Sequence, residues 1–464
     1  MSILKKNIIG FVVLLVLPFL NFSQQRDTVV HKEKSHILVP LAEIMVLNAG
    51  VNRYNYVLRG KTWAKVSPSS WWINLKRGYM TDGDNFTANW MAHPLHGSFF
   101  YLSARTNHYN TWQSIPYLVA GSLVWEFLGE SEPASSIDAY TTNLGGFYLG
   151  EVTYRLTDYI WNYPGSRRYR WLRNTSGSLL NPMGAFNRFV LGRGIPRTPL
   201  STIPAQLTLY GGLVPFAVGS NFDFPGSGTF IAAEVQYGDM FGPGVDNLGP
   251  FDYFRLNSWV NFPTMDDGGK NSYFNLSSDA VILGKKLGDQ PDDIDVVALT
   301  QHYDYIHNNV FKLGSIVLTG DWSWQRYLGT TRLTGATRLG MVIFGSGNSE
   351  MVKPVYPDIF PKFERDYIYG QGWVGEIEGM IHTRHFGTLG GNLSHFVIYS
   401  KSQPKGVENL DLMRARYLYP AGRNLIMGLQ FDYYSRQASY PHNSDESVKN
   451  KQYRELRLIS GYRF

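Results

Sequence analysis

The chain contains 464 residues, of which 15% are aromatic and 17% are charged. Its 43 basic and 37 acidic residues leave a net charge of +6, and this small, dispersed excess excludes the basic stripe expected of a nucleic-acid-binding protein. The absence of cysteine excludes disulfides, thiolate metal sites, a cysteine nucleophile and a lipid-attachment cysteine.

The first residues, 1–23, are predicted to form a secretory signal peptide. Lys5 and Lys6 precede an apolar run that ends near Leu20, and small or polar residues follow, with a cleavage position after Ser23. An uncleaved membrane anchor is the alternative, but the apolar run is short for a membrane span. The mature chain is therefore expected to be exported across the inner membrane.

Residues 24–200 are predicted to form a helical region. Apolar residues recur at helical spacing in the stretch "HILVPLAEIMVL", and four further helices are expected, the second interrupted near Pro94. In the fourth, Gly146 and Gly150 are four residues apart, a spacing that lets two helices approach closely. The Gly- and Pro-rich stretch 192–204 marks the boundary with the second half.

Charged residues lie on these otherwise apolar and aromatic helices. Burying a charge without a partner is costly, so the residues are expected either to pair or to do chemistry. We favour a structural ion-pair network, in which two arginines fix the register of the helices by pairing with two glutamates. Its predicted members are Arg105, Glu126, Glu151 and Arg155.

A catalytic or metal centre is the alternative for the same helices. His93 and His96 are three residues apart, and Glu126 and Glu130 are four apart on one helical face. Two imidazoles and two carboxylates could hold zinc or a pair of metal ions, although the intervening Pro94 disturbs the helix geometry. A membrane-embedded lipid or envelope hydrolase would draw on His93, His96, Glu126, Glu130, Asp138 and Glu151. We predict no metal and no other cofactor.

Residues 201–464 are predicted to form an antiparallel transmembrane β-barrel of twelve strands, which makes the chain an α+β membrane protein. The stretch "NLIMGLQFDYYSR" sets Leu425 and Leu429 against Asn424 and Gln430, and this period of two is typical of a strand with one apolar face. Twelve such segments occur, each long enough to cross a bilayer at a tilt. Their number is even, as single-chain bacterial barrels require.

Connector lengths favour this barrel over a soluble β-sandwich, which also alternates apolar and polar residues. Counted back from the end, short connectors at 420–422 and 327–329 alternate with long ones at 439–448 and 347–364. Outer-membrane barrels show the same alternation of short periplasmic turns and longer outer loops.

The polar residues of these strands are expected to face the lumen. They would suit an anionic or sugar-like solute, which makes a solute channel one alternative function. Ordinary hydration of the lumen explains them equally well. The predicted lumen-facing residues are Arg255, Arg332, Arg338, Gln430 and Arg436.

The chain ends on an alternating strand, "YRELRLISGYRF", with Tyr462 and Phe464 on its apolar face. This terminus resembles the signal by which the barrel-assembly machinery of Gram-negative bacteria recognises its substrates. We therefore predict localisation in the outer membrane, in contact with outer-membrane lipid and lipopolysaccharide.

Several motifs carry a more specific resemblance. The stretches "DNFTANWMAHPLHGSFFYLSAR", "SLVWEFLGE", "GEVTYRL" and "NPMGAFNRFVLG" are similar to a family of uncharacterised Bacteroidota outer-membrane proteins, the domain of unknown function 3943 family. The similarity covers roughly residues 80–320. It implies a barrel location and no established activity.

Together these observations predict a non-enzymatic outer-membrane barrel whose helical region lies in the periplasm, beneath the barrel mouth, or plugs it. The helices are expected to dock a partner or to occlude the pore, as in an accessory subunit of an assembly or secretion complex. The hydrolase and the solute channel stay open as alternatives.

Overall fold

The computed structural model describes residues 34–81, 83–163, 166–192, 205–219, 227–243, 245–263, 273–290, 293–308, 311–356, 360–402, 405–440 and 448–464. The predicted signal peptide, 1–23, lies outside the described residues. Within them, a helical region covers residues 34–192 and a β-barrel begins at Ala205.

The second half forms a closed antiparallel barrel of twelve strands, which confirms the prediction from the period of two. Neighbours in sequence pair with each other around the ring, and the pairing of β1 with β12 closes it. The strands are β1 (Ala205–Gly219), β2 (Gly228–Tyr237), β3 (Phe254–Pro263), β4 (Tyr273–Gln290), β5 (Asp293–His307), β6 (Lys312–Leu328), β7 (Thr331–Tyr356), β8 (Phe360–Thr383), β9 (Gly387–Ser400), β10 (Val407–Pro420), β11 (Leu425–Ser439) and β12 (Val448–Arg463). A two-residue strand, Asn247–Leu248, pairs with β4 beside the ring.

The two ends of the barrel differ in their connections. At the short-turn end, residues 329–330 join β6 to β7 and residues 421–424 join β10 to β11. The first residue of the barrel lies at this end, where the backbone N–H of Phe464 donates to the carbonyl of Leu207. At the opposite end, the long-loop end, most connections are longer, for example residues 440–447 between β11 and β12. The connection between β2 and β3, residues 238–253, is an exception, because it is long and lies at the short-turn end.

The hairpin of β7 and β8 is longer than predicted. The sequence pattern suggested a connector over 347–364, but β7 continues to Tyr356 and β8 begins at Phe360. The two strands go on pairing there, although with interruptions in the register. The apolar alternation stops where the hairpin leaves the barrel wall, whereas backbone pairing does not require that alternation.

The first half is helical, as predicted. Six of the described helices are preceded or followed by single π-helical turns, which are uncommon and often lie at functional sites. No helix among the described residues is both long and apolar enough to span a membrane. The helices are α1 (Leu38–Arg53), α2 (Pro68–Arg77), α3 (His93–Arg105), α4 (Thr111–Val124), α5 (Ser136–Tyr140), α6 (Gly146–Asn162), α7 (Arg170–Leu180) and α8 (Pro182–Ala185), with π-helical turns at Tyr54–Leu58, Ala88–Ala92, Trp125–Gly129, Thr141–Gly145 and Phe186–Val190.

The helical region packs against the outward face of the barrel wall. In β5, His302 and Asp304 line the lumen, while the alternating Tyr303 and Tyr305 are buried by the helices. Earlier in the same strand Leu299, which shares the face of the two tyrosines, is exposed. Because side chains alternate along a strand, the helices cover the face that lipid covers elsewhere on the barrel.

The covered part of the wall is a row of outward side chains that pair directly across six strands. Helix residues contact this row closely: the hydroxyls of Tyr148 and Ser278 lie 2.7 Å apart, and Phe344 stacks between Trp90 and Tyr140. We call the helical region, residues 34–192, the helical layer. The wall residues beneath it are called the covered row. The covered row consists of Val235, Leu256, Ser278, Tyr303, Ile316 and Phe344.

This placement differs from the expected one. A plug would contact the lumen-facing side chains, and a domain beneath the mouth would contact only the short-turn end. The described helices instead reach from Asp252, near the short-turn end, to Tyr369, toward the long-loop end. The aromatic residues of the covered row follow the same alternation as ordinary lipid-facing residues of a barrel, so the sequence does not mark them as covered.

Helices α3 and α6 approach each other closely through glycines. A Cβ atom on Gly97 would overlap the carbonyl oxygen of Thr142, and one on Gly146 would overlap the backbone of Gly97. The predicted spacing of Gly146 and Gly150 therefore lies at a helix contact, with Gly150 against the ring of Tyr101. Pro94 does not interrupt α3, because it occupies the first turn, where its missing N–H costs nothing.

Candidate functional site

Two polar clusters lie inside the helical layer. In the first, both carboxylate oxygens of Glu151 accept from the guanidinium of Arg105, at 2.7 and 2.9 Å. Arg155 donates to the same carboxylate at 2.9 Å, and the hydroxyl of Tyr101 donates at 2.6 Å. The arrangement joins α3 to α6 and, through the contact of Arg155 with Asp252, joins α6 to the barrel.

The charges of this cluster stabilise each other. Burial would raise the pKa of Glu151, but Arg105 and Arg155 outweigh burial and lower that pKa to about 2. The carboxylate is therefore ionised at neutral pH, and its two oxygens accept five hydrogen bonds, the fifth from the hydroxyl of Thr111 at 3.4 Å. This cluster fixes the position of the helices.

The second cluster lies at the other end of α3. The Nε2 atom of His93 is 3.4 Å from Oδ2 of Asp138 and 3.4 Å from Oδ2 of Asp84. Glu126 adds a third carboxylate, whose Oε2 accepts from the backbone N–H of Ser135 at 2.7 Å. One ligand atom each from His93, Glu126 and Asp138 lie within 4.8 Å of one another. We call His93, Glu126, Asp138 and Asp84 the His93 cluster.

Local structure holds these side chains in place. Ser135 caps α5 by accepting from the N–H groups of Ile137 and Asp138. The backbone of Ser135 also forms a bridge with Met80, which holds the segment before α3 against the start of α5. The π-helical turn Trp125–Gly129 places Glu126 on the inner side of the layer, where it is buried.

Glu130 lies beside the His93 cluster, whereas His96 packs among aromatic rings. Burial, the negative charge of Glu126 and other acids raise the pKa of Glu130. The ring of His96 lies between those of Phe100 and Trp125, at centroid distances of 4.5 and 4.7 Å. Burial and the neighbouring His93 lower the pKa of His96 to about 3, so it is neutral and belongs to the aromatic core.

The structure thus divides the residues that the sequence grouped together. Arg105 and Arg155 both contact Glu151, whereas Glu126, the other glutamate assigned to the ion-pair network, lies in the His93 cluster. The two histidines separate, although they are three residues apart. Sequence reasoning missed Asp84, since a half-exposed aspartate in the stretch "DGDNF" gives no periodic signal.

The lumen holds a cavity of about 1000 Å³. Arg255 on β3 reaches across it to Glu378 on β8, at 2.7 Å, and also pairs with Asp279 on β4 at 3.1 Å. Arg338 on β7 completes this group with a 3.0 Å contact to Glu378. Ion pairs therefore cross the lumen and tie distant strands together.

The other predicted lumen residues also face inward. Gln430 donates to Asp432 at 2.6 Å, and Arg436 forms a fully buried pair with Glu408 at 2.8 Å. Arg332 lines the cavity, and among the described residues it makes no ion pair.

Apolar side chains fill the lumen toward the long-loop end. Val317, Val374 and Phe396 come from β6, β8 and β9, and Phe311 meets Tyr434 of β11 with ring centroids 6.0 Å apart. All five are buried, and four of them also line the cavity. We call these five residues the lumen seal.

The terminal aromatic residues lie on the outward face of the closing strand. The rings of Tyr462 and Phe464 are 4.8 Å apart, and both side chains are exposed. Their position is accessible to another protein, as recognition of a barrel-assembly signal would require.

Comparison with known proteins finds a family match within the helical layer. The family model described as Domain of unknown function (DUF3943) matches residues 78–183. The match confirms the resemblance to this family over residues 78–183, and it covers α3 to α7 with both polar clusters. The search of curated proteins found no match.

Three of the solved structures similar to the chain are described as outer-membrane channels or as a transporter. An outer-membrane channel from Pseudomonas putida F1 is 11% identical, with a TM-score of 0.28, over 56% of this chain and 94% of that chain. The toluene transporter TodX from Pseudomonas putida is 7% identical, with a TM-score of 0.24, over 56% of this chain and 89% of that chain. The channel DcaP of Acinetobacter baumannii is 10% identical, with a TM-score of 0.24, over 56% and 97%.

The Glu151 pairs should dominate the stability of the helical layer. Glu151→Gln leaves two buried guanidinium groups without a counter-charge, and we expect a loss of about 3–5 kcal/mol in the free energy of unfolding. Asp411→Asn is the control, because Asp411 pairs with His395 where both side chains are 39% exposed, and such pairs contribute about 0–1 kcal/mol. Urea titration of the protein in detergent micelles measures both.

The folding stability that Glu151 contributes should decrease as the pH falls. The pKa of Glu151 is about 2 in the folded chain, below its ordinary value near 4.3, so its contribution is present above the ordinary value and is lost as the pH falls toward 2. Wild type should lose stability over this range, and Glu151→Gln should lose less. Equal losses in the two proteins would contradict the assignment.

Proposed function

We propose that this chain is a non-enzymatic outer-membrane β-barrel protein with a closed lumen. Its helical layer docks a partner, as an accessory subunit of an outer-membrane assembly or secretion complex would. The observation that carries the proposal is the position of the layer on the outward wall. A module there meets only lipid or another membrane protein.

The exposed surface of the barrel supports a place in the outer membrane. Outward side chains on the uncovered strands are apolar and exposed, as in Leu389, Leu393, Met427 and Leu429. A wall of this kind is stable in lipid and would aggregate in water.

The segment 44–80 supports contact of the helical layer with lipid headgroups. It contains six basic residues and no acidic one, and its exposed aromatic residues include Tyr54 and Trp72. Basic and aromatic side chains together are typical of protein surfaces at the lipid headgroups. The phosphates of lipopolysaccharide fit this charge.

The contents of the lumen favour a scaffold role and disfavour an open pore. The seal fills it toward the long-loop end, and Arg255 and Glu378 bridge it from nearly opposite strands. A solute channel is the second candidate, because the cavity and the Arg332 side chain that lines it could take a small anion that enters from the short-turn end.

Conductance in planar bilayers distinguishes a closed scaffold from a channel. We expect the full-length wild type to carry no steady current. Phe396→Ala with Tyr434→Ala removes large rings from the lumen seal and should produce discrete current steps. Outward-facing Leu389→Ala with Leu393→Ala is the control and should stay silent. Steady, porin-like conductance of the wild type would favour the channel.

Docking by the helical layer is tested with matched surface variants. Trp72→Ser with Leu75→Ser alters α2, and Trp373→Ser with Leu393→Ser alters the bare wall; all four side chains are exposed. After purification from mild detergent, we expect the first variant to lose co-purifying envelope proteins at least tenfold and the second to retain them. A wild-type chain that purifies alone, or equal losses from both variants, would contradict the proposal.

A further inference from the structure

The geometry points to a divalent-cation site in the His93 cluster, with His93, Glu126 and Asp138 as ligands and Asp84 at its open edge. The site lies in the helical layer, and it is independent of the docking role proposed above.

The donor atoms converge from three separate elements. His93 begins α3, Glu126 belongs to the π-helical turn after α4, and Asp138 lies in α5, yet one ligand atom from each lies within 4.8 Å of the other two. The two contacts of His93 Nε2 with carboxylate oxygens are 3.4 Å long, so they are weak as hydrogen bonds. Oxygen and nitrogen atoms about 3–4 Å apart have the spacing of ligands around a common ion bound at 2.0–2.2 Å.

The balance of charge in this region also favours a cation. Glu126 and Asp138 are buried, and Glu130 lies beside them. The carboxylates of Glu126, Asp138 and Asp84 lie close to the imidazole of His93. Carboxylates at such close range repel one another, and a bound divalent ion would offset that repulsion.

The ligand set indicates the class of ion. One imidazole with two or three carboxylates suits first-row divalent metals such as zinc, manganese or iron, whereas calcium and magnesium prefer oxygen ligands alone. The half-exposed Asp84 forms the side by which an ion can enter. Glu126 is held by the backbone N–H of Ser135, and a hydrogen bond of this kind orients a metal ligand.

One contact indicates where the site lies along the length of the barrel. Close to the cluster in sequence, Thr81 contacts the hydroxyl of Tyr369 at 3.1 Å, and Tyr369 belongs to the part of β8 toward the long-loop end. If the short turns face the periplasm, as in other bacterial barrels, the site lies on the outer-leaflet side of the layer.

Metal loading of the full-length chain in detergent tests the inference. The protein is treated with EDTA, dialysed against excess zinc or manganese and then against buffer, and measured by elemental analysis and thermal unfolding. We expect about one equivalent of metal and a raised unfolding midpoint in the loaded wild type, since an ion that binds only the folded state stabilises it.

Variants show whether the ion occupies this site. His93→Ala and the isosteric Asp138→Asn should retain less than a tenth of the wild-type metal. His395→Ala should retain all of it, because His395 pairs with one carboxylate, Asp411, on the barrel. Heat-modifiable gel migration selects the variants with a folded barrel, and Asp138→Asn covers the case in which His93→Ala misfolds. Wild type without metal above the detergent blank, or folded Asp138→Asn with the full amount, would overturn the inference.

Discussion

The covered row is the feature on which the rest of the structure depends. Six directly paired side chains, from Val235 to Phe344, line the outward face of the wall, and all but Ser278 are apolar or aromatic. Because they alternate with polar lumen residues, the same strands bind the helices on one side and line the polar cavity on the other. The barrel thereby carries the helical layer on its outward face.

Buried charge is compensated differently in the three regions. In the lumen, arginines and carboxylates pair across the barrel, as Arg255 does with Glu378. At Glu151, two arginines hold one carboxylate and lock the helices to the wall. In the His93 cluster three carboxylates gather around one imidazole, and this is the cluster to which we assign a cation site.

The sequence predicted the strands well, because the period of two is a local pattern that can be recognised within each strand. It could not predict where the helices lie. Tyr303 and Tyr305 share their parity with Leu299, so side chains covered by helices and side chains exposed to lipid form one pattern. The partners of Glu126 and Glu151 were undetermined for a similar reason: both glutamates lie on aromatic helices, and only packing decides which one the arginines reach.

The placement of the helical layer on the outward wall is tested most directly by cross-linking, and the absence of cysteine makes the chain suitable for it. Tyr369 faces the layer and its neighbour Ile368 faces the lumen, so Thr81→Cys is combined with Tyr369→Cys or with Ile368→Cys. The Thr81 and Tyr369 hydroxyls are 3.1 Å apart. A short bismaleimide should join the first pair in folded protein and leave the second unlinked, when both are normalised to the labelling of each single variant. Efficient linking of Thr81→Cys to Ile368→Cys, with none to Tyr369→Cys, would place the helices in the lumen and contradict the account.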